Sequence, residues 1–211
     1  MKNKDLKKVI VVDLDGTLVS ENTFHMWLRY LLKITWKHNF YAFLKIMFFM
    51  GLRGTRVINH EQLKKNIIVI SNQINKHLNL EKFVDSLMDY ANVHILNELK
   101  DKSKEEYWIL ATAAPQIYAE VLAESYEFDL CIGTSMIVDS NWVENIRENK
   151  LHNVLEILND INIKGVHCLY TDHYDDIHLM QISDEINLVN PSEKTMSLTL
   201  SSNFHNVKQI S

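Results

Sequence analysis

Short apolar runs alternate with longer segments of helical periodicity along the chain. Residues 8–13 are a β-branched apolar run that ends in a polar turn, which is typical of a strand buried on both faces of a parallel sheet. Helical segments separate several of these runs, as in α/β proteins. The pattern therefore predicts an α/β fold with a five-stranded parallel sheet. The predicted strands are residues 8–13, 107–112, 130–134, 166–172 and 186–189.

Residues 20–100 differ from the rest of the chain because they show helical periodicity throughout and no convincing strand. A crossover between adjacent strands is normally much shorter than this segment. We therefore predict an all-α cap domain inserted into a core domain that is built from residues 1–19 and 101–211. The last helix of the cap is expected to present one apolar face, made of Val84, Leu87, Met88, Ala91 and Ile95.

The most apolar stretch of the cap is residues 39–52, in which Lys45 is the only charged residue. A membrane-spanning helix needs about 20 apolar residues, so we predict no transmembrane segment. The first interpretation is a buried or lid-facing helix; the alternative is an interfacial helix that lies on a membrane or faces a lipidic substrate. The nearby aromatic residues likewise have two possible roles, in the hydrophobic core of the cap or in the wall of the substrate site. They are Phe24, Trp27, Tyr30, Phe40, Tyr41, Phe43, Phe48 and Phe49.

Composition and charge narrow the function without defining it. Hydrophobic residues make up 46% and charged residues 23% of the chain, which is ordinary for a globular protein. The net charge of −5 gives no basic field for nucleic acid. Cys131 and Cys168 fall in strand-like runs and are expected to be buried free thiols. The basic N-terminus lacks an apolar signal-peptide core, which favours a cytoplasmic protein, and the polar last twenty residues are expected to be partly disordered.

Polar and charged residues stand at the ends of the predicted strands. Two aspartates, two residues apart, follow the first strand, and a threonine ends the second. Three aspartates lie at or just beyond the end of the fourth strand, and a lysine precedes the helical segment that leads to it. Ligands of parallel α/β sheets bind beyond the carboxyl ends of the strands, so we expect these side chains to meet there. The candidates are Asp13, Asp15, Thr112, Lys150, Asp172, Asp175 and Asp176.

This set of side chains favours phosphoryl transfer with a divalent cation. Crowded carboxylates repel one another unless a cation joins them, and oxygen ligands without paired His or Cys favour Mg²⁺ over zinc. Asp13 and Asp172 would bind the ion, and Asp13 can attack phosphorus to form an aspartyl-phosphate. Asp15, two residues later on the same side, can protonate the leaving oxygen and then activate water. Thr112 and Lys150 would stabilise the transferring oxygens.

Several segments, in the right order, resemble the signature motifs of the haloacid dehalogenase superfamily. DLDGTLV resembles the first, Asp-x-Asp-x-Thr after a hydrophobic strand, and ILATAAP resembles the second, in which a strand ends in Ser or Thr. Lys150 resembles the third motif and TDHYDDIHLM is similar to the fourth, while INLVNP looks like the next strand of the phosphoserine-phosphatase-like branch. The resemblance implies a Rossmann-like three-layer core with a helical cap after the first strand. The segments are residues 13–19, 109–115, 150, 171–180 and 186–191.

The resemblance also implies how a metal would be bound. Asp13, Asp172 and the backbone carbonyl of Asp15 are the implied Mg²⁺ ligands. The fourth motif normally carries a second acidic residue at the site. The four-residue step from Asp172 favours Asp176 for that role, as a further metal-binding residue, with Asp175 as a water-mediated or phosphate-loop neighbour.

The chain departs from the family pattern at three positions. Thr171 replaces the usual Gly of the fourth motif, and His173 replaces the usual Ser or Gly. An exposed loop position is the first interpretation for His173, and contact with substrate or metal is the alternative. Phosphoserine phosphatases carry a Glu nine residues after the nucleophile, whereas this chain has Asn22 there, beside Glu21. Phosphoserine is therefore not the expected substrate.

The leading hypothesis is a Mg²⁺-dependent phosphatase acting on a small phosphorylated metabolite. Two alternatives use the same residues: transfer of phosphate to an acceptor other than water, and a degenerate domain that only binds phosphate or a partner protein. Dehalogenation fits less well, because those relatives lack the second aspartate that Asp15 supplies. The apolar cap adds the hypothesis of a lipid-linked or membrane-proximal substrate, with peripheral membrane contact. The sequence leaves the oligomeric state open.

Overall fold

The computed structural model describes residues 8–202 and 204–210. Within them lies a parallel sheet of six strands, so the fold is α/β as predicted, with one strand more than the predicted five. The strands are β1 (Lys8–Val12), β2 (Glu106–Pro115), β3 (Leu130–Thr134), β4 (Val166–Thr171), β5 (Ser183–Val189) and β6 (Val207–Ile210). Their order is β3-β2-β1-β4-β5-β6, so β1 lies between β2 and β4. The basic residues 1–7, on which the absence of a signal peptide was predicted, lie outside the described residues.

The sixth strand lies in the tail for which we expected partial disorder. A helix, α9 (Glu193–Ser201), starts after Ser192, whose side chain accepts a hydrogen bond from a backbone N–H of the first turn. β6 then pairs with β5 through Ile186–Val207 and Val189–Ile210. An edge strand this short has only two apolar residues, and the two between them are exposed, so it gives almost no hydrophobic signal in the sequence.

The sheet is the middle of three layers, because alternate residues of each strand point to opposite faces. In β1, Val9 and Val11 join one hydrophobic cluster, while Ile10 and Val12 join the other. The remaining core helices are α6 (Gln116–Ser125), α7 (Glu148–Asp160) and the short α8 (Ile177–Met180). Helix α6 packs on the cluster that contains Ile10 and Val12, and α7 packs on the cluster that contains Val9 and Val11. Both cysteines are free; Cys168 is buried and Cys131 is partly buried.

Five helices lie between β1 and β2, as the periodicity predicts. They are α1 (Thr23–His38), α2 (Phe40–Gly54), α3 (His60–Gln73), α4 (Leu80–Met88) and α5 (Val93–Lys100). Each starts after an asparagine whose side-chain oxygen accepts a backbone N–H of the first turn, which satisfies a donor that the helix leaves free. The capping residues are Asn22, Asn39, Asn59, Asn79 and Asn92.

The capping asparagines explain one wrong prediction. The single last helix that we expected through Val84 and Ile95 is two helices, α4 and α5, because Asn92 starts a new helix. Val84 and Ile95 are still buried, but Met88 is 40% exposed at the end of α4. Extending one helical period across the turn between α4 and α5 therefore placed Met88 on the wrong face.

Helix α2 contains the apolar stretch at residues 39–52, and it is not a buried helix. Only Ala42 and Ile46 of α2 are buried. The prediction that this stretch is buried is therefore wrong, because much of its apolar surface is exposed. Among the described residues, no helix has both the length and the hydropathy that crossing a bilayer requires.

The helices between β1 and β2 share a hydrophobic cluster with the sheet. Trp27 of α1 and Phe83 of α4 both contact the Tyr118 ring of α6, with centroids 5.2 Å and 5.1 Å away. All three side chains are buried. The division into a core of residues 1–19 and 101–211 and a cap of residues 20–100 stays a prediction, and this continuous packing would hold the two parts together.

Candidate active site

The carboxyl ends of β1, β2 and β4 open into one cavity of about 240 Å³. Asp13 directly follows β1 and Asp172 directly follows β4. Thr112 lies inside β2, where the pairing with β3 shifts register between Ala111 and Pro115. All seven polar candidates from the sequence line this cavity. They are Asp13, Asp15, Thr112, Lys150, Asp172, Asp175 and Asp176.

Lys150 joins two of the carboxylates. It lies in the first turn of α7, is buried, and places its Nζ 2.7 Å from Oδ1 of Asp13 and 2.7 Å from Oδ1 of Asp176. The bond to Asp13 is a hydrogen bond donated by the ammonium group. Lys150 thereby contacts Asp13, which is 137 positions away along the chain, and Asp176, which is 26 positions away. These contacts fix the direction of the Asp13 carboxylate.

The electrostatics of the cavity are dominated by burial and by excess negative charge. Burial raises the pKa of Asp13 to about 8, with Lys150 opposing the rise and Asp176 adding to it. Burial likewise raises the pKa of Asp172 to about 6. Burial lowers the pKa of Lys150, but Asp13 and Asp176 outweigh that effect and raise it, so the ammonium group stays charged. One cation among two buried carboxylates and the partly buried Asp172 leaves room for further positive charge.

The turn after β1 brings the first-strand aspartates close to Asp172. Gly16 has a φ of +83°, a conformation that favours glycine. A Cβ atom on Gly16 would lie 2.4 Å from Oδ2 of Asp172, so the backbone of this turn can approach the carboxylate only without a side chain. Thr17 donates a long hydrogen bond of 3.5 Å to Oδ1 of the same carboxylate. The glycine is therefore required twice, by its backbone angle and by its closeness to Asp172.

The donor set at this turn fits Mg²⁺. Asp13 and Asp172 supply two carboxylates and the turn supplies backbone carbonyls, all hard oxygen ligands. Among the described residues, no three His, Cys, Asp or Glu side chains are placed to hold a metal by themselves. Mg²⁺ usually keeps several waters and takes only one or two protein carboxylates besides the substrate phosphate. The two carboxylates of Asp13 and Asp172 fit that preference.

Asp15 is held by the first helix of the insertion. Its Oδ1 accepts a 2.6 Å hydrogen bond from the backbone N–H of Thr23, the first residue of α1. The Thr23 hydroxyl is 3.1 Å from the hydroxyl of the buried Tyr118. Burial raises the pKa of Asp15, and the hydrogen bonds from Thr23 oppose that rise. A carboxyl group with a raised pKa, in the same cavity as the candidate nucleophile Asp13, is suited to donating a proton.

Comparison with protein families agrees with this geometry. A family model described as haloacid dehalogenase-like hydrolase matches residues 10–181, which contain all of the candidate residues. The chain belongs to the haloacid dehalogenase-like hydrolase family. A search of curated protein sequences found no match to this hydrolase.

Solved structures with the same fold cover nearly the whole hydrolase. A protein of unknown function from Bordetella pertussis Tohama I is 14% identical, with a TM-score of 0.74 over 96% of this chain and 99% of that one. A phosphoserine phosphohydrolase-like protein from Francisella tularensis is 15% identical, with a TM-score of 0.58 over 96% and 95%. A substrate-bound phosphoserine phosphatase is 15% identical, with a TM-score of 0.56 over 90% of each chain. At these identities the likeness shows a shared fold.

The two neighbouring aspartates of the fourth motif have different surroundings in the hydrolase. Asp176 is buried; its Oδ1 meets Lys150 and its Oδ2 accepts a 2.8 Å hydrogen bond from Thr171. Asp175 is partly exposed and pairs with Arg147 at 3.0 Å. These contacts allow Asp176 to orient Lys150, and metal binding by Asp176 stays a prediction.

His173 has a local structural contact as well as access to the cavity. Its Nδ1 accepts a 3.1 Å hydrogen bond from the backbone N–H of Asp175, so it caps the turn at Tyr174–Asp176. Its side chain is 59% exposed. The first interpretation, an exposed loop residue, agrees with this position, and the capping contact explains why a hydrogen-bonding residue suits it.

Sequence reasoning missed a buried ion pair at the cavity wall. Lys64 of α3 bonds closely to Glu144, which lies between β3 and α7, and also donates a 2.9 Å hydrogen bond to the carbonyl of Ala113. Both charged side chains are buried and line the cavity. A signal existed for Lys64, because Ile67 and Ile68 share its helix face, and a lysine on an apolar face suggests a buried partner. Nothing in the sequence around Glu144 marks it.

Most of the aromatic cluster does not form a wall of the site. Of the eight aromatic residues, Phe24 alone lines the cavity, as far as the described residues define it. Trp27 is buried with Phe24 in the core, whereas Phe40, Tyr41 and Phe48 are exposed. Neither of the two roles predicted from the sequence, cap core or substrate wall, accounts for the exposed residues Phe40, Tyr41 and Phe48.

Proposed function

We propose that this hydrolase is a Mg²⁺-dependent phosphatase that forms an aspartyl-phosphate on Asp13. The observation that carries the proposal is the placement of the Asp13 carboxylate. It is held 2.7 Å from the Lys150 ammonium group in a cavity that it shares with Asp15 and Asp172. A nucleophile, a proton donor and a cation at one cavity are what phosphoryl transfer through a carboxylate needs.

The proposed reaction has two steps, and the chain's own residues move the proton. In the first, an Asp13 carboxylate oxygen forms a bond to phosphorus while the bond to the leaving oxygen breaks, and Asp15 gives that oxygen its proton. In the second, Asp15 takes a proton from water, and the water oxygen displaces the Asp13 carboxylate from phosphorus. Lys150 and the Thr112 hydroxyl would donate hydrogen bonds to the transferring oxygens.

Mg²⁺ would be held by Asp13, Asp172 and the backbone carbonyl of Asp15. When bound, the ion supplies positive charge that offsets the charge of the carboxylates and of the phosphoryl group. Gly16 keeps the turn close enough to Asp172 for the two halves of this ligand set to meet. Asp176 orients Lys150 from the other side.

The surroundings of the cavity favour a small polar phosphate ester. A cleft of about 520 Å³ shares His60, Glu144 and Ile146 with the cavity, and its further lining includes Arg147 and Glu148. This polar cleft gives space for the part of the substrate beyond the phosphate. No residue of 39–52 is among the described residues that line the cavity, so the hypothesis of a lipid-linked substrate gains no support from the site.

The substrate is not expected to be phosphoserine. Asn22 stands where the family's phosphoserine enzymes carry a Glu, and its side-chain oxygen already accepts the backbone N–H of His25. A helix cap that is neutral and engaged in this way gives little attraction to a substrate amine. Which phosphorylated metabolite is used, and the cytoplasmic location, stay predictions.

The test is release of phosphate from p-nitrophenyl phosphate. We expect activity with Mg²⁺, loss of activity with a chelator, and loss in Asp13→Asn. The matched control is Asp160→Asn, which changes an exposed aspartate at the end of α7 and should leave the rate unchanged. Full activity in Asp13→Asn would refute the nucleophile, and no activity on a broad set of phosphate esters would favour the degenerate binding domain. Adding alcohol acceptors to an active enzyme distinguishes hydrolysis from phosphotransfer.

A further inference from the structure

Helix α2 presents to solvent an apolar face that is not buried against the rest of the described protein. The exposed residues recur with helical spacing and span about a third of the helix circumference. The α2 face consists of Phe40 (53% exposed), Tyr41 (69%), Leu44 (50%), Met47 (47%) and Phe48 (60%). Soluble proteins rarely leave contiguous apolar surface of this kind unless it meets a partner or a membrane.

The α2 face continues onto the end of α1. Trp36 is 61% exposed, and its ring contacts the rings of Phe40 and Phe43 with centroids 5.4 Å and 5.1 Å apart. A tryptophan beside phenylalanines at the edge of an apolar surface is typical of residues that sit at a bilayer interface. The exposed surface is therefore formed by two helices and includes an amphipathic aromatic side chain.

The segment of the chain that carries this apolar surface is basic. Residues 23–56, which contain α1 and α2, carry six Lys and Arg and no Asp or Glu, although the whole chain has a net charge of −5. None of the six forms an ion pair with a carboxylate of the described residues. The six residues are Arg29, Lys33, Lys37, Lys45, Arg53 and Arg56.

The basic residues lie next to the apolar face. Arg29, Lys33 and Lys37 are exposed at four-residue spacing on the side of α1 that also carries Trp36. On α2, the Lys45 ammonium group lies 4.6 Å from the centroid of the Tyr41 ring, at the border of the α2 face. Basic side chains therefore flank the apolar residues on both helices.

We propose that the α2 face and its basic flank dock on the surface of an anionic phospholipid membrane. Apolar side chains would enter the boundary between headgroups and acyl chains, while the lysines and arginines meet lipid phosphates. The charge decides between partners: an apolar face alone would also suit another protein, but four cations beside the face, Arg29, Lys33, Lys37 and Lys45, with no Asp or Glu on either helix, match a surface of anionic headgroups. The surface is separate from the cavity, so docking does not depend on the proposed phosphatase activity.

The test is co-sedimentation of the full chain with vesicles. We expect binding to vesicles of equal parts phosphatidylglycerol and phosphatidylcholine, weaker binding to phosphatidylcholine alone, and weakening by added salt. Leu44→Glu should reduce binding at least about tenfold, because it puts a charge where an apolar group is buried in lipid. The control is Leu200→Glu, the same change at a leucine of α9 that is 63% exposed and lies outside the α2 face, which should bind normally.

Two further variants distinguish the sources of binding. The double variant Lys33→Glu with Lys37→Glu should reduce binding to the anionic vesicles at least about tenfold, and Asp13→Asn should bind like the unchanged protein. No binding to anionic vesicles, equal binding to both lipid compositions, or normal binding of Leu44→Glu would each overturn the proposal. A dimer that Leu44→Glu dissociates, without vesicle binding, would assign the face to a second copy of the chain and overturn it as well.

Discussion

Replacing Lys150 by methionine tests the electrostatic centre of the site. Methionine keeps a similar length and apolar stem but removes the ammonium group that lies 2.7 Å from both Asp13 and Asp176. Two buried carboxylates would then face each other without the cation between them. We therefore expect the substitution to reduce both the stability of the fold and the rate of turnover.

The size of both effects follows from burial. Removing one partner of a buried ion pair costs about 3–5 kcal/mol, because the other charge is left in the protein interior. Removing a preorganised donor to the transferring oxygens slows turnover by about 10²–10³-fold. Lys208→Met is the matched control: Lys208 pairs with Glu185 at 2.8 Å, but its side chain is 61% exposed. Exposed pairs contribute little, so the control should change neither property appreciably.

Two measurements on the same variants check these expectations. Urea unfolding followed by circular dichroism gives the change in the free energy of unfolding, and steady-state hydrolysis of p-nitrophenyl phosphate gives kcat. If Lys150→Met were as stable and as active as Lys208→Met, the charge at Lys150 would have no role in the fold or in the proposed chemistry. A stable but inactive Lys150→Met would separate the two roles and assign Lys150 to catalysis alone.

Three further predictions concern residues around the cavity and in the sheet. Asp15→Asn should lower kcat at least about tenfold through loss of proton transfer while leaving the Mg²⁺ concentration for half-maximal activity nearly unchanged; an unchanged kcat would refute the acid/base role. Gly16→Ala should raise that Mg²⁺ concentration about tenfold, because its Cβ would press on Asp172; Gly54→Ala, with open space around it, is the control. Burial raises the pKa of Cys168 to about 12, so at pH 8 only about one thiol in ten thousand is thiolate, and a thiol reagent should label it far more slowly in the folded than in the urea-unfolded chain.

The predictable part of the fold depended on strong local signals. Each central strand is an unbroken apolar run, and the polar residue that ends it marks the edge where ligands bind, so Asp13 and Asp172 could be placed from the sequence. The 3.6-residue period identified the helices between β1 and β2. The boundary between α4 and α5 was not predicted, because Asn92 interrupts the 3.6-residue spacing of apolar residues at a single position and so resembles an ordinary polar residue of one helix.

The parts that escaped prediction depend on contacts between distant segments. β6 is stabilised by pairing with β5, and its two apolar residues give no pattern of their own. The pair of Lys64 and Glu144 joins residues 80 positions apart, and no local rule connects them. The outward orientation of α2 depends on which side α1 and α3 cover, so its composition alone suggested burial.

Trapping the covalent intermediate tests the central proposal most directly. The enzyme is mixed with a radiolabelled phosphate ester in the presence of Mg²⁺ and quenched in acid, and the labelled peptide is then identified by mass spectrometry. We predict an acid-stable, base-labile label on Asp13, absent from Asp13→Asn and retained in Asp15→Asn. An enzyme that hydrolyses the ester while carrying its label elsewhere, or carrying none under conditions that slow the second step, would contradict the assignment of Asp13 as the nucleophile.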